Sequence, residues 1–184
     1  MILYVTRHGE TDYNVQGRYC GSLDAPLNAR GFEQARELAD SLASLEFDVI
    51  VSSPLLRARQ TAEVICKALS MPMAVIDEFA EINMGVYEGL TKEEIAAKYP
   101  YLWASLTKRP IDKAPDGGET QREFDLRVAA GMEKLKAQYG ENKVLLVCHG
   151  FVARVINRQM KGLSFEEMHT FVLGNCEVVK YYIN

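Results

Sequence analysis

The chain has 184 residues, 48% of them hydrophobic and 25% charged, a balance that excludes a disordered or fibrous protein and suits a single domain, 1–184, rather than two joined by a linker. Its net charge of -4 argues against a nucleic-acid binder, which needs a basic surface to displace counterions, while a local arginine cluster can still hold a small anion. No apolar run reaches the length of a membrane span or a signal-peptide core, and Cys20, Cys66, Cys148 and Cys176 are scattered without a close pair, so a cytoplasmic protein with reduced thiols, no metal site and no membrane partner is expected.

Ile2 to Val5 is a short apolar run and opens the chain as a strand. Gly31 to Leu45 follows as a helix with Ala35, Leu38, Ala39 and Leu42 on one stripe. Asp48 to Val51 is the second strand, and Leu55 to Leu69 the next helix, with Ala58, Ala62, Ile65 and Leu69 in register. Met73 to Ile76 is the third strand. From 83 to 118 the pattern breaks into a short helical stretch, Lys92 to Tyr99, followed by Pro100, Trp103, Pro110, Pro115 and Gly117-Gly118, and is expected to be a small helical cap insertion. A long amphipathic helix resumes over Glu119 to Gln138, then come strands at Lys143 to Val147 and Glu177 to Ile183. Apolar strands alternating with helices predict an α/β fold, a three-layer doubly wound arrangement with a mainly parallel sheet and helices on both faces. In such sheets ligands bind beyond the carboxyl ends of the strands.

Three chemistry-bearing stretches follow strands. Arg7-His8-Gly9-Glu10-Thr11, with Asn14, Gly17 and Gly21 beyond it, leaves the first strand. A neutral histidine there can attack phosphorus if one ring nitrogen is free and the other N–H is held by an acceptor, and Arg7 offers a planar fork to phosphate oxygens. After the second strand comes Ser52-Ser53-Pro54-Leu55-Leu56-Arg57-Ala58-Arg59-Gln60-Thr61-Ala62. Ser53 or Ser52 is expected to cap the helix with Pro54 in its first turn, Arg57 to point back toward His8, and Arg59 to face solvent. The strand ending at Val147 delivers Cys148-His149-Gly150 and then Arg154, so that His149 and the Gly150 N–H reach the same rim. His169 has no such context and is expected at the surface or in packing.

The RHGE motif, the SSPLxRAxxTA motif and the late strand ending in His-Gly, in this order, resemble the histidine phosphatase superfamily, also called the phosphoglycerate mutase-like family, over essentially the whole chain. The resemblance implies a short-branch phosphatase that hydrolyses small-molecule phosphomonoesters through a phosphohistidine on His8, with no cofactor and no metal. It implies that Arg7, Arg57 and His149 stabilise the phosphoryl group and that Asn14 lines the pocket. The segment Glu81-Ile82-Asn83-Met84-Gly85-Val86-Tyr87-Glu88-Gly89 matches the family's carboxylate motif, which makes Glu81 the general acid and leaves Glu88 a structural role. Cys20 and Gly21 occupy a substrate-side loop, Cys20 standing where the family usually has Thr or Ser. Sugar phosphates and ribazole phosphate are among the candidate substrates. Tyr87, Tyr99, Trp103 and Arg109 fall in or near the cap and are candidates for framing the leaving group.

Three alternatives stand beside this reading. Cys148 and Arg154 form C-x5-R, the spacing of cysteine-dependent phosphatases, although a pattern this short recurs by chance. Mutase-type phosphoryl transfer keeps the same histidine chemistry and is favoured by Lys92, but disfavoured by Met84, by Phe151 and by a cap with Arg109 as its one arginine. An inactive relative that binds a phosphorylated ligand is the third, disfavoured because every catalytic position is filled. The terminal strand and acidic composition set no oligomeric state.

Overall fold

The computed structural model describes residues 1–183. Five strands, β1 (Ile2–Arg7), β2 (Val49–Ser52), β3 (Met73–Val75), β4 (Lys143–Cys148) and β5 (Val178–Tyr182), form one sheet in the order β3-β2-β4-β1-β5. β1 and β2 flank β4 in parallel, β3 lies parallel to β2, and β5 runs antiparallel along β1. The mainly parallel sheet with helices on both faces agrees with the alternation of apolar runs and amphipathic stretches.

Strand periodicity sorts the core into two layers. Leu3, Val5, Val49, Val51, Val144, Leu146 and Cys148 face one side, where Phe124, Val128 and Leu135 of α6 (Gln121–Tyr139) and Val152, Val155 and Ile156 of α7 (Gly150–Lys161) cover them. Tyr4, Ile50, Leu145 and Val147 face the other, against Leu38, Ala39 and Leu42 of α2 (Ala29–Leu42) and Ala58, Ala62 and Ile65 of α3 (Leu56–Leu69). Burial on both faces explains why these strands read as continuous apolar runs.

Helix starts follow capping chemistry. Thr120 caps α6 by accepting from the Glu123 N–H while the Glu123 carboxylate accepts from the Thr120 N–H, and Thr91 with Glu94 does the same for α4 (Lys92–Lys98). Pro100 opens α5 (Pro100–Leu106) as its first residue. The start of α3 departs from expectation, since Leu55 is its N-cap and Pro54 lies outside it. The first turn is capped from a distant loop, with the Leu56 N–H donating to Asp24 Oδ1 at 2.5 Å, while Ser53 Oγ bonds His149 Nε2 at 2.6 Å and accepts from the N–H of Leu55 at 3.3 Å. Arg57 still falls in the first turn, and Arg59 is exposed and pairs with Glu63.

The parallel register places the ends of β1, β2 and β4 side by side, with Arg7 opposite Cys148 and Ser52 opposite Val147. His8, Ser53 and His149 therefore emerge along one edge of the sheet. Between β3 and α6 the chain crosses that edge with α4, α5 and the loop before Thr120. No helix among the described residues is long and apolar enough to cross a membrane.

Candidate active site

At the carboxyl edge lies a cavity of about 180 Å³ lined by residues that include Arg7, His8, Asn14, Cys20, Gly21, Arg57, Glu81 and Gly150. All of the residues expected in catalysis or phosphate binding except His149 line it directly; of the cap candidates, Tyr87, Trp103 and Arg109 line a neighbouring cleft and Tyr99 does not. His149 is fully buried immediately behind, its ring centroid 5.2 Å from that of His8.

His8 sits in the turn after β1 with 4% of its surface exposed. Its Nδ1 is 2.7 Å from the Gly9 carbonyl oxygen, which fixes the proton there, and its Nε2 accepts from Arg57 Nε at 3.2 Å. Burial, and after it the Arg57 and Arg7 guanidiniums, hold the His8 imidazole well below its ordinary pKa. A neutral ring with its lone pair on the cavity side is the outcome. Asn175 Nδ2 supports the turn from behind by donating to the His8 carbonyl at 2.8 Å, and the Gly9 N–H donates to Thr61 Oγ1 at 3.0 Å.

Arg57 is 1% exposed. Its terminal nitrogens donate to Leu23 O at 2.7 Å and Gly21 O at 2.8 Å, which orients Nε on His8. Gly21 takes φ 51, in the left-handed region that favours glycine, and a Cβ there would overlap the Glu88 carboxylate and force it to move. Glu88 has the structural task expected of it: Oε1 accepts from the Ser22 N–H, the Ser22 hydroxyl and the Met84 N–H. Arg7, partly buried, donates from NH1 to Leu173 O at 3.3 Å, while its buried Nε has no partner among the described residues.

His149 is the N-cap residue of α7, fully buried, with Nε2 at 2.6 Å from Ser53 Oγ and Nδ1 without a partner among the described residues. Burial first, then Arg57, keeps it neutral, far below the ordinary histidine value. Glu81 comes from the segment after β3, where its Oε2 accepts from the Phe151 N–H at 3.2 Å and its Oε1 from the Ile82 N–H at 3.1 Å. Burial raises its carboxyl, opposed by Arg57, the two backbone N–H groups and Arg7. Arg127 of α6 anchors this segment through the carbonyls of Glu78, Ala80 and Glu81 while paired with Glu119 at 2.8 Å.

The C-x5-R alternative is corrected by strand alternation. Cys148 shares a face with Val144 and Leu146, so its side chain enters the core layer rather than the cavity. Burial pushes its thiol far above the usual range, the wrong direction for a nucleophile. Arg154, one α-helical turn beyond Gly150, does line the cavity, and Arg18 and Tyr19 join it there. The i, i+4 spacing of Gly150 and Arg154 carried that signal for Arg154; nothing local marks Asn175 or Arg127. Among the described residues no group of three or more His, Cys, Asp or Glu side chains is placed to hold a metal ion.

Comparison with known proteins places the chain in a family. The family model described as histidine phosphatase superfamily (branch 1) matches residues 3–184. An uncharacterized phosphatase, PhoE, of Bacillus subtilis (strain 168) is 36% identical over 172 residues, 94% of this chain and 83% of that protein. Phosphoserine phosphatase 1 of Hydrogenobacter thermophilus is 32% identical over 94% of this chain and 82% of its own length. The crystal structure of the alpha-ribazole phosphatase from Shigella flexneri superposes with a TM-score of 0.92 at 29% identity, covering 100% of this chain and 91% of that one. With its motifs converged on one edge of the expected sheet, the chain belongs to the histidine phosphatase superfamily and is a phosphatase of its branch 1.

Proposed function

We propose that the protein hydrolyses small phosphomonoesters through a phosphohistidine on His8, without a metal, in the cytoplasm. The observation that carries this is the His8 ring itself: Nδ1 tied to Gly9 O at 2.7 Å, Nε2 turned to Arg57 at 3.2 Å, and burial keeping it neutral. Such a nitrogen is a competent nucleophile at neutral pH once the substrate phosphate draws the Arg57 N–H away from its lone pair.

The Nε2 lone pair forms the P–N bond as the ester P–O bond breaks, and Glu81, protonated, gives its proton to the departing oxygen. Its raised pKa suits that duty. The resulting carboxylate then takes a proton from water as the water oxygen attacks phosphorus, the P–N bond breaks, and phosphate leaves. Charge on the transferring group is met by Arg7 and Arg57, and by His149 Nδ1–H, the proton being placed there by the Ser53 hydroxyl donating to Nε2. Asn14, Cys20, Gly21 and Gly150 complete the lining. Four unpaired thiols suit a reducing compartment. Phosphoserine, ribazole phosphate and sugar phosphates are the substrates to screen first, the first two because similar proteins carry those names.

Single-turnover reaction with a radiolabelled phosphomonoester in chelator tests the mechanism. An acid-labile protein-bound label that disappears in His8→Ala, with turnover falling by at least about 10⁴-fold, is expected. A label that survives in His8→Ala, or turnover abolished by chelator, overturns it.

A further inference from the structure

The phosphate cavity adjoins a larger cleft of about 560 Å³ toward the cap, the side open to a leaving group, and Ile82, Met84 and Phe151 line both. Glu81 stands in the wall of the phosphate cavity. Unlike His8 and His149, it does not follow a strand directly: residues 76–80, which include the 3₁₀ turn Asp77–Phe79, separate it from β3. The register of the sheet therefore does not place its carboxyl group.

One face of α6 does. A guanidinium has five N–H groups, and all those of Arg127 are committed. Nη1 donates to Glu78 O and Ala80 O at 2.9 Å each, Nη2 to Glu81 O at 3.3 Å and Glu119 Oε2 at 2.8 Å, and Nε to Glu119 Oε1 at 2.9 Å. Carbonyls of Glu78, Ala80 and Glu81 thus converge on one side chain, an arrangement that suits a planar fork and not a single ammonium. Glu119 extends the tie past Glu81, its N–H donating to Asn83 O at 2.9 Å. One turn further along α6, Gly131 is buried, and a Cβ there would lie 2.9 Å from Glu78 Cβ and 3.0 Å from the Phe79 ring. Glycine weakens a helix interior; here it lets the 3₁₀ turn approach the helix backbone. Lys134, the next residue of the same stripe, pairs with Glu78 at 3.0 Å. Of the two N–H groups on the Glu81 carboxylate, that of Ile82 belongs to the segment itself. Where the carboxyl meets the Phe151 N–H and the cavity is therefore set by how the segment sits on α6.

We infer that Arg127 and Gly131 are positioning residues for proton transfer: they seat the Glu78–Glu81 backbone on α6 and so hold the Glu81 carboxyl within reach of the departing oxygen and, later, of the attacking water. Neither lines the phosphate cavity or the larger cleft. The inference rests on the general-acid role proposed for Glu81 and adds the device that aims it.

The signature of a misplaced acid differs from that of a damaged fold. An aryl ester can phosphorylate His8 without a proton, whereas an alkyl ester needs one, and hydrolysis of phosphohistidine needs the Glu81 base whatever the ester. Arg127→Lys keeps the positive charge beside Glu119 but cannot span three carbonyls; Gly131→Ala removes no hydrogen bond but presses the 3₁₀ turn outward. Two quantities are read, both independent of the amount of folded protein. One is the ratio of kcat/KM for phosphoserine or glycerol 3-phosphate, whichever turns over faster, to kcat/KM for 4-nitrophenyl phosphate. The other is the decay rate of phosphohistidine formed from radiolabelled 4-nitrophenyl phosphate. Arg127→Lys is expected to lower each about tenfold, and Gly131→Ala to lower each by less, while kcat/KM for the aryl ester stays within about threefold of native. Glu81→Gln is run beside them. If Glu81→Gln lowers both quantities and Arg127→Lys leaves both within twofold of native, the inference is overturned and the acid role of Glu81 stands; where Arg127→Lys does not fold, Gly131→Ala decides on the same readings. If Glu81→Gln itself changes neither quantity, the acid role falls and the inference with it.

Discussion

The two ends of the active-site cleft are built on opposite plans. At the phosphate end, His8, Arg57 and His149 are 4%, 1% and 0% exposed, and each is fixed by hydrogen bonds to backbone or to another site residue. At the leaving-group end, Arg109 sits in an exposed loop after the two-turn helix α5, and its guanidinium has no partner among the described residues. Rigid strand ends suit a group common to all substrates, where sub-ångström positioning sets the rate. Loops and short helices suit the part that differs between substrates, where a change of side chain alters affinity without disturbing the sheet.

If this contrast holds, the phosphate end should tolerate almost nothing. Arg57→Lys keeps a positive charge but loses the fork that spans Leu23 O, Gly21 O and His8 Nε2. The expected loss in kcat/KM is about 10²- to 10³-fold, for all esters alike. Activity within threefold of native would mean that point charge suffices and that the phosphate end is no more exacting than the other.

Glu81 lies between the two regimes, and its effect should depend on the ester. Glu81→Gln is expected to cost about 10²-fold in kcat/KM for alkyl phosphates, whose alkoxides need a proton, and much less for aryl phosphates. With the carboxyl raised by burial and His8 lowered, kcat/KM for alkyl esters should fall on the alkaline side as Glu81 loses its proton. In Glu81→Gln that alkaline limb should vanish. Equal losses for alkyl and aryl esters, with the limb retained, would remove Glu81 from the acid role.

The difference between the two ends also governs how much was legible in the sequence. Arg7-His8, Ser53 with Arg57 and His149-Gly150 each stand directly after an apolar run, so strand, turn and reactive side chain were contiguous, and the parallel sheet did the rest. Glu81 was assigned only through the family motif, because nothing local says that a carboxylate after β3 folds over the strand ends; Arg127, 46 positions later, holds it there. Asn175 reaches the His8 carbonyl from 167 positions away. His169, expected at the surface or in packing, is half-buried with its ring edge-on to Phe151, and it also lines the larger cleft, since α8 (Phe165–Met168) ends beside Gln121. Ser53 is not the cap of α3 because the helix starts later, with Leu55 as N-cap: Ser53 Oγ accepts from the Leu55 N–H while bonding His149, and Asp24 takes the Leu56 N–H.

The buried histidines make a further prediction about stability. His8 and His149 are held well below the ordinary value of 6.5, and His169 at about 4, by burial and neighbouring arginines. Above pH 6.5 neither the folded nor the unfolded chain protonates them, so their contribution is flat. Below it the unfolded chain binds protons that the folded one refuses, and stability falls with pH by up to about 1.4 kcal/mol per pH unit for each histidine. Urea midpoints should therefore drop between pH 7 and pH 5, before most carboxylates titrate. Constant midpoints down to pH 5 would mean that the phosphate end opens enough to solvate charged imidazoles.

The smallest effect on catalysis should come from the residue nearest in sequence to the catalytic rim that the sheet turns away from it. Cys148 precedes His149, yet alternation along β4 sends its thiol into the apolar layer, with Sγ 3.8 Å from His149 O. Cys148→Ser places a hydroxyl there, which costs about 1 to 2 kcal/mol in stability if it finds no partner, while kcat/KM per folded molecule should stay within about threefold of native. A loss of labelled intermediate in this variant, with His8 intact, would place the chemistry on the wrong face of β4, and with it the division between the two ends of the cleft.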